Sequence, residues 1–277
     1  MRHFFSKKIL MLKTIYLHTF LFFFFLFSCK NEQKKNQNFF SSPNKISGNW
    51  VNQSFLTSVK ERLCIGKILQ ENKNQPYTEL FFAPELGDSA LIFTPTNRFK
   101  CHYQWQNDQL VLDNASQNGQ PLNLNYDPAQ NRLKLATDRN NSYSSADFVA
   151  ADSFVVLKSG VKEAFSQAFN RQTVAGVYTD SLSGRDVAFD LHGKVEGLEE
   201  YEEYETCLGG DCDKIIDGAA DAIFMSKDGR GSYFAWQYAP NNPNTLIIWD
   251  IAPLRKGIRT GRRLVAPRYV LKRNDEL

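Results

Sequence analysis

The chain has 277 residues and a formal net charge of +3, with 42% hydrophobic and 23% charged residues. That balance fits one large or two small globular domains and excludes global disorder. Residues 1–28 hold four basic side chains and no acid while the rest sums to −1, so the basic character belongs to the leader and excludes a nucleic-acid-binding surface as its source.

The first element is that leader. A basic start, Met1 to Lys13, precedes an apolar run from Thr14 to Phe27, which ends at Ser28-Cys29. Only 15 residues separate Lys13 from Cys29, whereas a bilayer-spanning helix takes about 20. Residues 1–28 are therefore expected to be a signal peptide, with an uncleaved anchor as the alternative. The quartet Leu26-Phe27-Ser28-Cys29 resembles the lipobox of bacterial lipoproteins. The resemblance implies cleavage before Cys29, diacylglycerol on its thiol and a further acyl chain, such as palmitate, on its new amino group. Two or more chains hold a protein stably at a membrane, so Cys29 is the expected lipid anchor and the outer membrane of the cell envelope the expected address. Residues 29–46 are polar and read as a disordered tether. Lys30-Asn31-Glu32 within it resembles the export tag of surface lipoproteins of Bacteroidetes. The terminal Asn274-Asp275-Glu276-Leu277 approaches an endoplasmic-reticulum retention signal, which in a bacterial lipoprotein is a coincidence.

Beyond the tether, helical periodicity is confined to Phe55–Arg62 and Val161–Phe169. Period-two alternation dominates. Phe99, Cys101, Tyr103 and Trp105 alternate with Lys100, His102 and Gln104; Leu110 and Leu112 follow, then Leu122, Leu124 and Tyr126, then Leu133 and Leu135. The second half repeats the pattern at Val187 and Phe189, at Phe234, Trp236 and Tyr238, and in the more continuously apolar stretch Thr245–Ile251. Strands with one wet face and short turns describe antiparallel meanders.

The two halves also open and close alike. Ser47-Gly48-Asn49-Trp50 and Ala175-Gly176-Val177-Tyr178 open them; Phe154–Lys158 and Tyr269–Arg273 close them. An all-β fold of two tandem small antiparallel barrels is expected, residues 47–158 and 174–273. The linker at 159–173 that joins them is helical if Val161–Phe169 winds. One large β-sandwich is the alternative. Gly-x-Trp on a first strand with a cation on the last resembles the lipocalin-like (calycin) barrels. There the aromatic ring packs under the cation, which implies that Trp50 meets Lys158 and that Tyr178 meets Lys272 or Arg273.

Apart from Cys29, the cysteines are Cys64, Cys101, Cys207 and Cys212. An even number in an oxidising compartment suggests disulfides, and Cys64–Cys101 with Cys207–Cys212 keeps each pair within one half; free buried thiols are the alternative. The sequence shows no metal-site spacing, cofactor motif or catalytic constellation. Gly87-Asp88-Ser89-Ala90 resembles the nucleophile block of one hydrolase family, but no histidine follows His192 to act as its base.

Two charge clusters remain. Residues 196–221 hold ten acids against Lys214. Residues 254–273 hold eight cations and no acid, and the segment between Ala252-Pro253 and Ala266-Pro267 reads as a long basic loop. Arg255, Lys256, Arg259, Arg262 and Arg263 are candidate ligands for an anionic glycan, lipid headgroup or acidic protein; mutual neutralisation of the two clusters is the bland account. Trp105, Trp236 and Trp249 are either core or a stacking platform. The expected function is non-enzymatic binding of a small ligand or envelope partner by a lipid-anchored protein. The alternatives are a carboxylate-dependent envelope hydrolase or isomerase and a pocketless interaction module using the basic loop.

Overall fold

A computed structural model describes residues 46–62, 64–71, 76–107, 109–115, 119–136, 146–151, 164–208, 220–256 and 259–274. The chain divides at Ser47/Gly48. The leader, Cys29 and nearly all of the tether lie outside the described residues, and the described strands and helices belong to the second unit.

That unit contains two antiparallel eight-stranded meanders. The first runs β1 (Gly48–Asn52), β2 (Glu79–Phe82), β3 (Ser89–Phe93), β4 (Arg98–Gln106), β5 (Gln109–Leu112), β6 (Leu122–Asp127), β7 (Arg132–Leu135) and β8 (Asp147–Ala150). It is a closed barrel, because β1 pairs with β2 on one side and with β8 on the other. Closure therefore falls at Asp147–Ala150 and not at the expected Phe154–Lys158, which lies outside the described residues. Both edges of β1 are occupied before that segment is reached. The second meander runs β9 (Gly176–Asp180), β10 (Asp186–Phe189), β11 (Val195–Glu196), β12 (Glu203–Thr206), β13 (Asp221–Lys227), β14 (Arg230–Ala239), β15 (Asn242–Lys256) and β16 (Arg259–Arg273). Here β16 returns to pair with β9, while β11 and β12 meet through the single bridge Lys194↔Glu203, leaving the barrel nearly closed. Two tandem barrels are thus the fold, and the single sandwich is set aside because each sheet curls back on itself.

The alternation predicted from sequence sets the inward faces. On β4, Cys101 is buried and Lys100, His102 and Gln104 are exposed. Leu80, Ile92, Leu110, Leu124, Leu133 and Phe148 are almost fully buried in the first barrel, and Trp50 meets Tyr126 edge-on at 6.1 Å. Small barrels fill their interior with side chains. The second does so with Tyr178, Phe189, Ile223, Met225, Trp236 and Ile248, each 3% exposed or less.

Helices join the two. α1 (Gln53–Arg62) and α2 (Ile65–Glu71) are inserted between β1 and β2, and α3 (Ala164–Gln172) lies in the linker. Their apolar residues, including Phe55, Val59, Ile68, Phe165 and Phe169, form one continuous cluster with the interior of the second barrel. Each barrel also caps one of these helices from a distance in sequence. Asp221 of β13 accepts bonds from the Ile65 and Gly66 amides at 2.7 and 2.8 Å. Glu79 of β2 accepts one from the Phe165 amide at 2.8 Å. Carboxylates on the free N–H groups of a helix start satisfy donors that burial would otherwise orphan.

The floor of the second barrel carries the expected ring–cation contact. The Arg273 guanidinium lies 5.2 Å from the Tyr178 ring centroid, and its Nη2 donates to the Tyr178 and Tyr238 hydroxyl oxygens at 2.8 and 3.2 Å. Gly176 makes the space: a Cβ there would stand 3.2 Å from Arg273 Cζ and 3.3 Å from Tyr178 Cε2. Burial raises the Tyr178 hydroxyl far above the ordinary phenol range. The matching partner of Trp50, Lys158, lies outside the described residues.

The first expected disulfide is corrected. Cys64 and Cys101 are free buried thiols. Cys101 is mid-strand opposite Ala90, and burial pushes its thiol up to about 11. Cys64 sits between α1 and α2, where burial and the Asp221 charge raise its pKa. Cys207 is disulfide-bonded, and Cys212 lies outside the described residues.

Candidate functional site

The strands β15 and β16 have 15 residues each, three times the length of β9. Pairing between β14 and β15 runs from Ala239 and Asn242 to Ala235 and Trp249, and ends there. Both strands continue. Arg230–Phe234 stays paired with β13, down to Lys227↔Arg230. Residues 251–256 stay paired with β16, out to Lys256↔Arg259. Two irregularities of register, on either side of Trp249, lie at the point of departure; bulges bend and twist a strand pair in this way. The sheet therefore splits, and β15–β16 leaves it as a two-stranded ribbon.

This corrects the expected long loop. Residues 254–256 and 259–273 are strand, and the connection between them is short. The ribbon is strongly basic: residues 251–267 carry Arg255, Lys256, Arg259, Arg262 and Arg263 and no acid. The register sets Lys256 opposite Arg259, and like charges directly across a ladder are destabilising.

A cleft of about 560 Å³ opens at the split. One wall is Ser232, Tyr233 and Phe234 of β14; the other is residues 250–253 of β15. Tyr201, Arg262 and Arg268 complete it. The two arginines differ. Arg268 is held by Glu200 and by Asp250, the latter at 3.3 Å, and its guanidinium covers the Phe234 ring at 5.5 Å. Hydrogen bonds to Tyr269 and Glu200 raise its pKa further above the arginine range. Arg262 lies over the Tyr233 ring at 4.7 Å and has no carboxylate among the described residues; its Nη1 is buried without an acceptor there, as is Arg268 Nε. Leaving a buried donor unpaired costs about 1–3 kcal/mol, more when it is charged.

Among the predicted ligand residues whose side chains are described, Arg262 lines the cleft. Arg263 is exposed, and Arg255, Lys256 and Arg259 share the ribbon's backbone without a description of their side chains. Trp236 is fully buried in the core, which selects the core reading over the platform for this residue. Trp105 is half-buried and edge-on to Tyr126 at 6.5 Å, and Trp249 stands at the split opposite Ala235. Tyr201, Ser232, Tyr233, Asp250 and Arg268 were not singled out from sequence. The length of the apolar-then-basic run after Thr245, too long for a barrel strand, was the available signal.

Mutual neutralisation of the charge clusters is limited to one described pair, Glu200–Arg268. Glu199, Glu202 and Glu203 pair instead with Arg185, Lys227 and Lys194.

A second polar group lies on the wall of the first barrel. His102 Nε2 is 2.9 Å from Asp88 Oδ2 and its Nδ1 is 3.2 Å from Asp113 Oδ2. Ser89 is its cross-strand partner. Both ring nitrogens are engaged by carboxylates, and hydrogen bonds to Asp113 and Asp88 raise the imidazole pKa. With Nε2 on Asp88 and Nδ1 on Asp113, both ring nitrogens are turned to carboxylates and not to the Ser89 hydroxyl. Among the described residues no group of three His, Cys, Asp or Glu is placed to hold a metal ion, and no helix is long and apolar enough to cross a membrane.

Compared with protein-family models, curated proteins and solved structures, the chain has no match.

Proposed function

We propose that this protein is an interaction module of the cell envelope, anchored by lipid at Cys29 in the outer membrane, whose basic ribbon recruits an anionic partner without catalysis. The carrying observation is the ribbon itself: it projects past the barrel wall with five cations, no acid and one orphaned guanidinium N–H. The buried side chains that face into both barrels, in a class of small barrels whose lumen side chains usually fill, favour this reading over a ligand-carrying lumen. The lipobox-like Leu26-Phe27-Ser28-Cys29 supports the anchor. Pairing of Cys207 with Cys212 across Gly209-Gly210 belongs to the same proposal, as expected of an oxidising compartment.

The test uses the full chain and two polyanions, labelled poly-L-glutamate and phosphatidylglycerol vesicles. Binding to at least one of them is expected to weaken with added salt. Charge reversal by R259E, R262E and R263E together is expected to weaken it by about tenfold or more. Binding that ignores both salt and the reversal would overturn the proposal. Metabolic labelling with palmitate, lost in Cys29→Ser, tests the anchor separately.

A further inference from the structure

We infer that the split between β14 and β15 receives an extended acidic polypeptide segment, which adds to the free edge of β14 as an extra strand while Arg262 takes one of its carboxylates. The inference rests on the interaction-module reading and names the partner's chemistry and its mode of docking.

The backbone supplies the first argument. Arg230–Phe234 is paired only with β13, so the side toward β15 carries no ladder among the described residues. An unpaired edge is a template for another strand. The opposing edge of β15 contains Pro253, which has no N–H to give and blunts it. The β14 edge contains no proline, and Ser232 and Tyr233 on it are exposed. The two walls of the cleft are thus unequal, and β14 is the one able to pair.

Charge supplies the second argument. Arg268 is already held by Glu200 and Asp250 through its two Nη atoms, and only its Nε is without an acceptor among the described residues. Arg262 is the cleft cation whose Nη1 lacks an acceptor among the described residues, and the ribbon around it has no acid to offer one. A carboxylate on the incoming strand completes it.

The same geometry argues against other anions. The Tyr233 ring has Arg262 over it and Phe224 against it at 5.0 Å. Phe234 is covered by Arg268 and meets Tyr201 at 5.5 Å. Neither offers the bare face on which a sugar ring stacks. A membrane surface is flat and would meet the ribbon without needing the split.

The experiment measures anisotropy of a fluorescein-labelled decapeptide of alternating Val and Glu, mixed with the full chain in detergent, together with amide hydrogen exchange. The peptide is expected to bind, to slow exchange in segment 230–234, and to bind about tenfold more weakly to Arg262→Gln. A copy N-methylated at every amide keeps the charge and loses the donors, and is expected to bind about tenfold more weakly to the native chain. Unchanged exchange in 230–234 at saturation overturns the inference, as does equal binding of the N-methylated copy. Displacement of the peptide by phosphatidylglycerol vesicles, with Arg262→Gln binding like the native chain, assigns the ribbon to a membrane and overturns it too. If poly-L-glutamate binds while the peptide leaves 230–234 unprotected, only strand addition fails. If the peptide, poly-L-glutamate and phosphatidylglycerol vesicles all fail to bind at low salt, the underlying function fails with it.

Discussion

The first barrel closes and the second splits, although their strands alternate in the same way. In the first, strands run from four to nine residues, and β1 finds a partner on each side. In the second, β11 has two residues while β15 and β16 have fifteen. A strand that stops short leaves a seam, here crossed by one bridge; a strand that outruns its neighbour carries unpaired backbone past the rim. Closure depends on matched lengths as much as on alternation. The second barrel turns the mismatch into a ribbon and a cleft, and the proposed partner site lies on that overhang.

The sharpest way to break the comparison is to ask whether the second barrel is held as tightly as the first below its rim. Trp236 fills its interior and its indole N–H has no acceptor among the described residues. Trp236→Ala is expected to lower stability by about 3–5 kcal/mol through the cavity it leaves. Trp236→Phe removes a donor that has nothing to lose, and is expected to cost well under half of that. Chemical denaturation of both variants measures the two. Equal losses would mean that the indole nitrogen, and not the packing, holds the core.

The next largest effect tests the coupling between barrels. Asp221→Ala removes the acceptor for one buried and one half-buried amide of α2 and is expected to cost about 1–3 kcal/mol. Faster hydrogen exchange at Ile65 and Gly66 is the local signature. If exchange there stays slow, the cap from the second barrel does not hold the insert of the first.

The alternating strands were the most legible part of the molecule, because a half-buried strand writes its two faces directly into the sequence. Cys101 against Lys100 and His102, or Phe234 with Trp236, needed nothing further. The ring–cation pair of Tyr178 and Arg273 was legible through its flanking Gly176. The split was not. Where β14 leaves β15 depends on pairing between strands, which one chain's periodicity does not encode, so residues 254–265 read as a loop with charges on it. The caps were hidden for a related reason: Asp221 looked like one acid in an acidic run, yet it faces a helix start 156 residues away. The free Cys64 and Cys101 show the same limit, since cysteine arithmetic counts thiols without seeing that they sit in separate packing environments.

A smaller effect sharpens how the second barrel stays closed. Asp180 ends β9 beside β16, and its carboxylate accepts from the Val270 amide at 3.2 Å, the Ser183 amide at 3.1 Å and Ser183 Oγ at 2.6 Å. Burial alone would raise its pKa, but these bonds and one from Leu182 outweigh it and hold the carboxyl below its ordinary 3.8. A depressed carboxylate contributes stability that is fully present above the ordinary value and is lost as pH falls through the folded one. Asp180→Asn is therefore expected to flatten the acid limb of stability below about pH 4. An unaltered acid limb would remove Asp180 from the closure.

The smallest effect belongs to the closed barrel. His102, Asp88 and Asp113 have side chains 49%, 74% and 39% exposed, so water screens the pairs and their worth to folding is slight. The direction is nonetheless fixed. Asp113 first, then Asp88, accepts from the ring and raises its pKa. The contribution is fully present below the ordinary 6.5 and is lost as pH rises through the raised value. In an NMR titration, Asp113→Asn is expected to bring the His102 midpoint down further than Asp88→Asn does. The reverse order would place the stronger bond on the wrong carboxylate, and an unchanged midpoint in the double variant would show that the ring is solvated instead. The same titration separates the two polar groups of the molecule. An imidazolium satisfied at both nitrogens has no donor left for a partner, whereas the Arg262 guanidinium at the split still has one.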